Sequence, residues 1–206
     1  MPARNPDLHG NVPDKAAVAL VLIDVINDLE FPDGDLLARH ALPMAPRLAA
    51  LKARARAAGV PAIYVNDNFG KWQSDLTRLL EHTLGTENRG QPMVELLRPA
   101  EDDYFVLKPK HSGFFSTTLD ILVQYLQVKT LILTGVAGNI CVLFTAQDAF
   151  LRDLHLVVPS DCVASNDEQA NRFALDHMRT VLQADTRPSD ELDLEKLKRP
   201  PAPEGE

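Results

Sequence analysis

The run Ala16 to Ile23 (AAVALVLI) is apolar, rich in branched side chains and without alternation, and it stops abruptly at Asp24. A strand open to solvent on one side alternates polar with apolar residues. One that does not is covered on both faces, as in a parallel sheet. Further strands are predicted at Val60 to Val65, Tyr104 to Leu107, Thr130 to Thr134 and Leu154 to Pro159, with a short sixth at Val181 to Ala184. Between them helices are predicted over Pro46 to Ala58, stopped by Gly59, from Thr117 or Thr118 to Gln127, from Asn139 to Arg152, and from Asp167 to Met178 with Asn166 as a cap. This alternation predicts an α/β fold in three layers, α/β/α, around a parallel sheet.

At 206 residues the chain suits a single domain, taken as residues 1–188 with a polar arm over 1–15. Residues 189–206 form a charged tail ending in Pro200, Pro201 and Pro203, expected to be mobile or loosely docked. A net charge of −8 argues against a nucleic-acid surface, and the basic cluster Arg47, Lys52, Arg54 and Arg56 reads as the solvated face of one helix. Ala16 to Ile23 is too short to cross a bilayer, and the first fifteen residues lack the apolar core of a signal peptide. Two cysteines make no disulfide framework, so the thiols are expected to be free and the location cytoplasmic. The six histidines show no ligand spacing; neither a metal nor a cofactor is expected.

In parallel sheets ligands bind at the carboxyl ends of the strands. That rule selects Asp24, Asn66 with Asp67, Lys108, the turn before Cys141, and Asp161 with Cys162. The stretch Leu131 to Asp148 (LILTGVAGNICVLFTAQD) runs from a strand through a turn with Gly135 and Gly138 into a helix opened by Cys141. A thiolate at a helix start is stabilised by unpaired N–H groups. Asp24 can accept its proton, Lys108 can supply positive charge, and the N–H groups from Ala137 to Cys141 can hold an oxyanion. Cys162 has no such turn and is read as structural. Asn66, Asp67 and Trp72 border the expected cleft, with Phe114 nearby; these four are the substrate-binding candidates, although turn formation explains Asn and Asp equally and phenylalanines usually belong to a core. The long connection from Asn66 to Pro99 is expected to build a lid or binding loop, and His111 is read as a surface loop residue.

Three separated segments, LVLIDVINDL (Leu20 to Leu29), VLKPKHSGFFSTTLD (Val106 to Asp120) and LILTGVAGNICVLFTAQDA (Leu131 to Ala149), resemble the isochorismatase-like cysteine hydrolases, among them nicotinamidases, carbamoylsarcosine amidases and ureidoacrylate amidohydrolases. The resemblance implies a six-stranded parallel sheet of order 3-2-1-4-5-6 and a catalytic triad of Asp24, Lys108 and Cys141. Lys108 rather than Lys110 fits the KPxxSGF spacing. It also implies a cis peptide between Val136 and Ala137 and an oxyanion hole from the N–H groups of Ala137 and Cys141. Ile26 stands where the family commonly has Gln, and Gly138 where it commonly has Thr. Asp67-Asn68-Phe69 replaces the Asp-x-His by which nicotinamidases bind a metal, and His82 stands alone, which disfavours that activity.

The expected function is cleavage of a C–N bond in a small amide or carbamoyl-type compound through a thioester. The alternatives are a noncatalytic binding or regulatory protein of the same fold and a vinyl ether hydrolase of the isochorismatase type, the latter disfavoured by the presence of Cys141. A small-molecule substrate and a homodimer or homotetramer are expected, with neither nucleic acid nor membrane as partner.

Overall fold

The computed structural model describes residues 15–199, so the polar arm, apart from Lys15, and residues 200–206 of the tail lie outside the described residues. Six strands, β1 (Val18–Ile23), β2 (Ala62–Asp67), β3 (Tyr104–Lys108), β4 (Thr130–Val136), β5 (His155–Val157) and β6 (Val163–Ala164), make one sheet. The main path is β3-β2-β1-β4-β5, all pairs parallel, and β6 joins β4 at Gly135↔Val163 and Val136↔Ala164.

The missing alternation in β1 now has its cause. Val18, Leu20 and Leu22 enter one hydrophobic cluster, while Ala19, Val21 and Ile23 enter another on the opposite face. Successive side chains of a strand point to opposite sides, so two covered faces demand apolar residues throughout. The first face carries α1 (Gly34–Ala57) and α3 (Gln91–Leu96); the second carries α4 (Leu119–Leu126), α5 (Leu143–Phe150) and α6 (Glu168–Thr180).

Several elements differ from expectation. Helix α1 begins at Gly34, well before Pro46, and runs through both Pro43 and Pro46. Both prolines lie on the exposed side, while Leu37, Ala41, Met44, Leu48 and Leu51 bury a continuous apolar stripe. Packing of that stripe outweighs the hydrogen bonds lost at the prolines. Val181 to Ala184 forms no strand. The chain instead makes one parallel bridge at Asp185, whose N–H donates to Leu156 O (2.9 Å) and whose carbonyl accepts from Val158 N–H (2.7 Å). The sixth strand is Val163–Ala164, because the tight turn at Ser160–Cys162 returns the chain to the edge of β4. Helix α6 is capped by the Asp167 side chain, which accepts from Ala170 N–H, since the Asn166 amide is spent on Asp33 O.

The segment between β2 and β3 contains α2 (Leu76–Gly85), capped by Asp75, and α3, whose Met93 and Val94 pack into the core. The tail is not loose over residues 189–199: Leu192 and Leu194 are buried in the α1-side cluster, and the Arg54 guanidinium donates to Ser189 O (2.7 Å) and Leu192 O (2.5 Å). Arg54, although exposed, is thus tied to the tail.

Gly135 pairs with Ile23 at φ +106°, and a Cβ there would lie 2.1 Å from Ile23 O. Both the backbone angle and the close approach exclude a side chain. Gly135→Ala is expected to lower unfolding free energy by at least ~2 kcal/mol, read from urea denaturation.

Candidate active site

Asp24 follows β1 directly, at φ 52°, a left-handed conformation that aspartate tolerates better than most residues. Its N–H still donates to Val65 O, so the residue continues the sheet while its side chain turns toward the carboxyl edge. One carboxylate oxygen accepts from Asp67 N–H (2.7 Å) and the other lies 2.9 Å from Lys108 Nζ. Lys108 ends β3, two strands from β1 and thus roughly 10 Å away. Its side chain crosses over β2 to reach Asp24, passing Asp67 Oδ2 at 3.3 Å. Its ammonium also meets Lys110 O (3.2 Å) and Cys141 Sγ (3.4 Å). It is fully buried.

Cys141 sits in one turn of π-helix, Gly138–Val142, between β4 and α5. The peptide between Val136 and Ala137 is cis. Ala137 O accepts from the N–H groups of Ile140 (3.0 Å) and Val142 (3.2 Å), and Ser165 Oγ accepts from Asn139 N–H (3.1 Å). Ser165 in turn donates to Asn171 Oδ1 (2.8 Å), which lies where a Cβ on Gly138 would be, only 2.3 Å from it. Glycine at 138, in place of the threonine expected from the resemblance, is what lets Asn171 approach the turn.

The charges are strongly coupled. Burial pushes the Asp24 carboxyl above the usual aspartate range, partly offset by Lys108 and by hydrogen bonds from Cys141 and Asp67. Burial and then Asp24 push the Cys141 thiol up to about 12, with Lys108 opposing. Burial alone would weaken the charge on Lys108, but Asp24, Cys141 and Asp67 together hold its ammonium above the usual lysine range. Burial thus biases both the thiol and the Asp24 carboxyl toward their protonated forms, and Lys108 opposes that bias at both.

The structure brings Asp24, Lys108, Cys141 and Asp67 together. It does not bring the other substrate candidates to the sulfur. Asn66 is fully buried and spends its amide on the Ile26 backbone, accepting from Ile26 N–H (3.1 Å) and donating to Ile26 O (2.9 Å). Phe114 belongs to the core on the α4 and α5 side, with the Arg152 guanidinium 4.6 Å from its ring centre. Trp72 is 81% exposed and lines two cavities, one of about 690 Å³ with Phe31, Phe69, Leu79 and His82, the other of about 360 Å³ with Asp67, Lys110 and Phe115. His82 is paired with Asp28 at 2.8 Å. Cys162 is buried away from the cluster, its thiol also pushed up to about 12 by burial and Asp161. Among the described residues no group of three or more His, Cys, Asp or Glu side chains could hold a metal.

Sequence reading missed the residues that hold the nucleophile's surroundings. Thr145 Oγ1 donates to Cys141 O (2.7 Å) and accepts from Gly113 N–H (2.9 Å), and Ser112 Oγ donates to Asp148. These bonds clamp the loop after β3 against α5, and they place His111 Nδ1 4.0 Å from Cys141 Sγ. Thr145 and Asp148 lie one and two helical turns beyond Cys141, a spacing that carried the signal.

A three-layer α/β/α sheet with a buried aspartate, lysine and cysteine at its carboxyl edge defines the class. The chain belongs to the isochorismatase family: the isochorismatase domain matches residues 18–187. The isochorismatase family protein YaaI of Bacillus subtilis strain 168 is 43% identical, over 83% of this chain and 93% of its own length. The ureidoacrylate amidohydrolase RutB of Methylobacterium radiotolerans is 28% identical, over 81% of this chain and 75% of its own. The crystal structure of N-carbamoylsarcosine amidase from Thermoplasma acidophilum superposes with a TM-score of 0.64 at 27% identity, covering 85% of this chain and 98% of that one. The protein is an isochorismatase-family hydrolase.

Proposed function

We propose that the protein hydrolyses a C–N bond of a small amide or carbamoyl-type compound through a thioester on Cys141. Asp24 takes the thiol proton, Sγ attacks the carbonyl carbon, and the N–H groups of Ala137 and Cys141 receive the oxyanion. Lys108 offsets the negative charge as the proton moves. Asp24 then returns that proton to the departing amine as the C–N bond breaks, and water activated by the same carboxylate cleaves the thioester. The observation that carries this reading is the buried Lys108 ammonium, 2.9 Å from Asp24 and 3.4 Å from Cys141. The amidohydrolase and amidase activities in the names of the RutB and Thermoplasma relatives agree with it.

The test is ammonia release from a panel of small amides and carbamoyl compounds, with mass spectrometry of the enzyme quenched in acid during turnover. Release from at least one compound and an acyl adduct on Cys141 are expected. Silence across the panel with no adduct would favour a noncatalytic protein, and turnover of a vinyl ether alone would assign the other chemistry.

The pH profile follows from Asp24. Only the ionised carboxylate accepts a proton, and burial raises the pH at which it ionises. Activity is expected to fall on the acid side at a pH above the ordinary aspartate value of about 3.9, as read from kcat/KM against pH.

A homodimer or homotetramer acting in the cytoplasm completes the reading. Trp72 (81%) and Phe115 (55%) are among the exposed aromatic side chains offered for contact, and two free, buried cysteines suit a reducing compartment. Light scattering is expected to give twice or four times the chain mass. Among the described residues no helix is long and apolar enough to cross a membrane.

A further inference from the structure

Cys141 has two dissimilar sides. On one side stand the buried Asp24 and Lys108, with Asp67 partly exposed behind them; on the other stands His111, exposed, with Nδ1 4.0 Å from Sγ. The imidazole is not a freely wandering surface group. Its ring rests against Phe144 of α5 (centroids 5.5 Å apart, planes at 52°), and the neighbouring Ser112 and Gly113 are bonded to Asp148 and Thr145 of the same helix.

We propose that His111 is a specificity-determining residue, one that in its protonated form favours acyl groups carrying a negative charge near the scissile carbonyl. The inference rests on the reading of Cys141 as nucleophile. Two carboxyl groups, Asp24 and Asp67, flank the single Lys108 ammonium, so that cluster has no surplus positive charge to offer an anion. On the loop after β3, His111 is exposed beside Sγ, and the adjacent Lys110, also exposed, lines the cavity of about 360 Å³ together with Asp67, Trp72 and Phe115, so that His111 is the basic side chain nearest the sulfur on the exposed side. From α5 the one charged group near this loop is Asp148, which is engaged by Ser112 Oγ and lies 3.8 Å from Arg152. Imidazole is the side-chain class whose charge changes between about pH 5 and 8, so a pH-dependent preference for an anionic substrate is the signature that distinguishes His111 from Lys110.

The test needs no substrate. Iodoacetate and iodoacetamide differ in charge but react alike: the sulfur–carbon bond forms, the carbon–iodine bond breaks, iodide leaves, and the thiol proton goes to Asp24 or solvent. The thiolate fraction cancels in the ratio of their rates at Cys141, which peptide mapping separates from Cys162. In the intact protein that ratio is expected to rise about tenfold from about pH 8 to about pH 5.5, the size of one close ion contact near a protein surface. His111→Gln should flatten the rise while keeping the iodoacetamide rate within about threefold, and His111→Lys should hold the ratio high at both pH values. Because Asp24 is untouched in both variants, a rise that survives His111→Gln would belong to Asp24 and overturn the proposal. A flat ratio in the unaltered protein would overturn it as well, leaving Cys141 as nucleophile. Failure of Cys141 to alkylate at any pH would overturn both readings together.

Discussion

Cys141→Ala is expected to reduce amide turnover by at least ~10⁴-fold with no acyl adduct, while the midpoint of urea unfolding stays nearly unchanged. The substitution removes only Sγ, one buried atom, so the cavity it leaves is small. What it removes chemically is the atom that must form the new bond. Cys141→Ser is a sharper version of the same experiment. A hydroxyl gives up its proton less readily than a thiol, and the burial that pushes Cys141 up to about 12 acts on any oxyanion in its place. Serine should therefore rescue less than one part in a thousand. Retained activity in Cys141→Ala would transfer the chemistry to water and dismiss the thioester.

Lys108→Met is the second large effect, and it is large twice. Turnover is expected to fall by about 10³-fold or more, because nothing then balances the charge on Asp24 and Cys141 as the proton moves. Stability is expected to fall by about 3–5 kcal/mol at neutral pH, since the buried Asp24 carboxylate is left without its partner. The sign with pH is fixed: the folded protein prefers protonated Asp24, so the deficit is greatest at high pH and shrinks as pH falls through the raised Asp24 value. Lys108→Met combined with Asp24→Asn should recover stability without recovering activity. Urea denaturation of both variants at two pH values separates the contributions; a single variant as stable as the parent at neutral pH would mean that Asp24 is already protonated there.

Much of this was legible in the sequence because the strands of a parallel sheet announce themselves. β1 and β4 are continuous apolar runs, and their ends place Asp24 and Cys141 directly. Lys108 could be named but not placed, since strand order and a side chain spanning two strands lie beyond local pattern. Helix α1 was half missed because Pro43 and Pro46 obey propensity locally while tertiary burial of Leu37, Ala41 and Met44 decides. Asn66 and Phe114 misled for a different reason: residue type suggests polarity or aromatic contact, but their partners, the Ile26 backbone and the core beside α5, are far away in sequence. His111, Thr145 and Asp148 become visible only when the loop after β3 is laid against α5.

The resting state of Cys141 has one more consequence. Peroxides and disulfides attack thiolates, and the burial that pushes the Cys141 thiol up keeps that form scarce. Between turnovers the same burial that makes the thiol a poor acid thus acts as a safety catch, guarding it against oxidative wear.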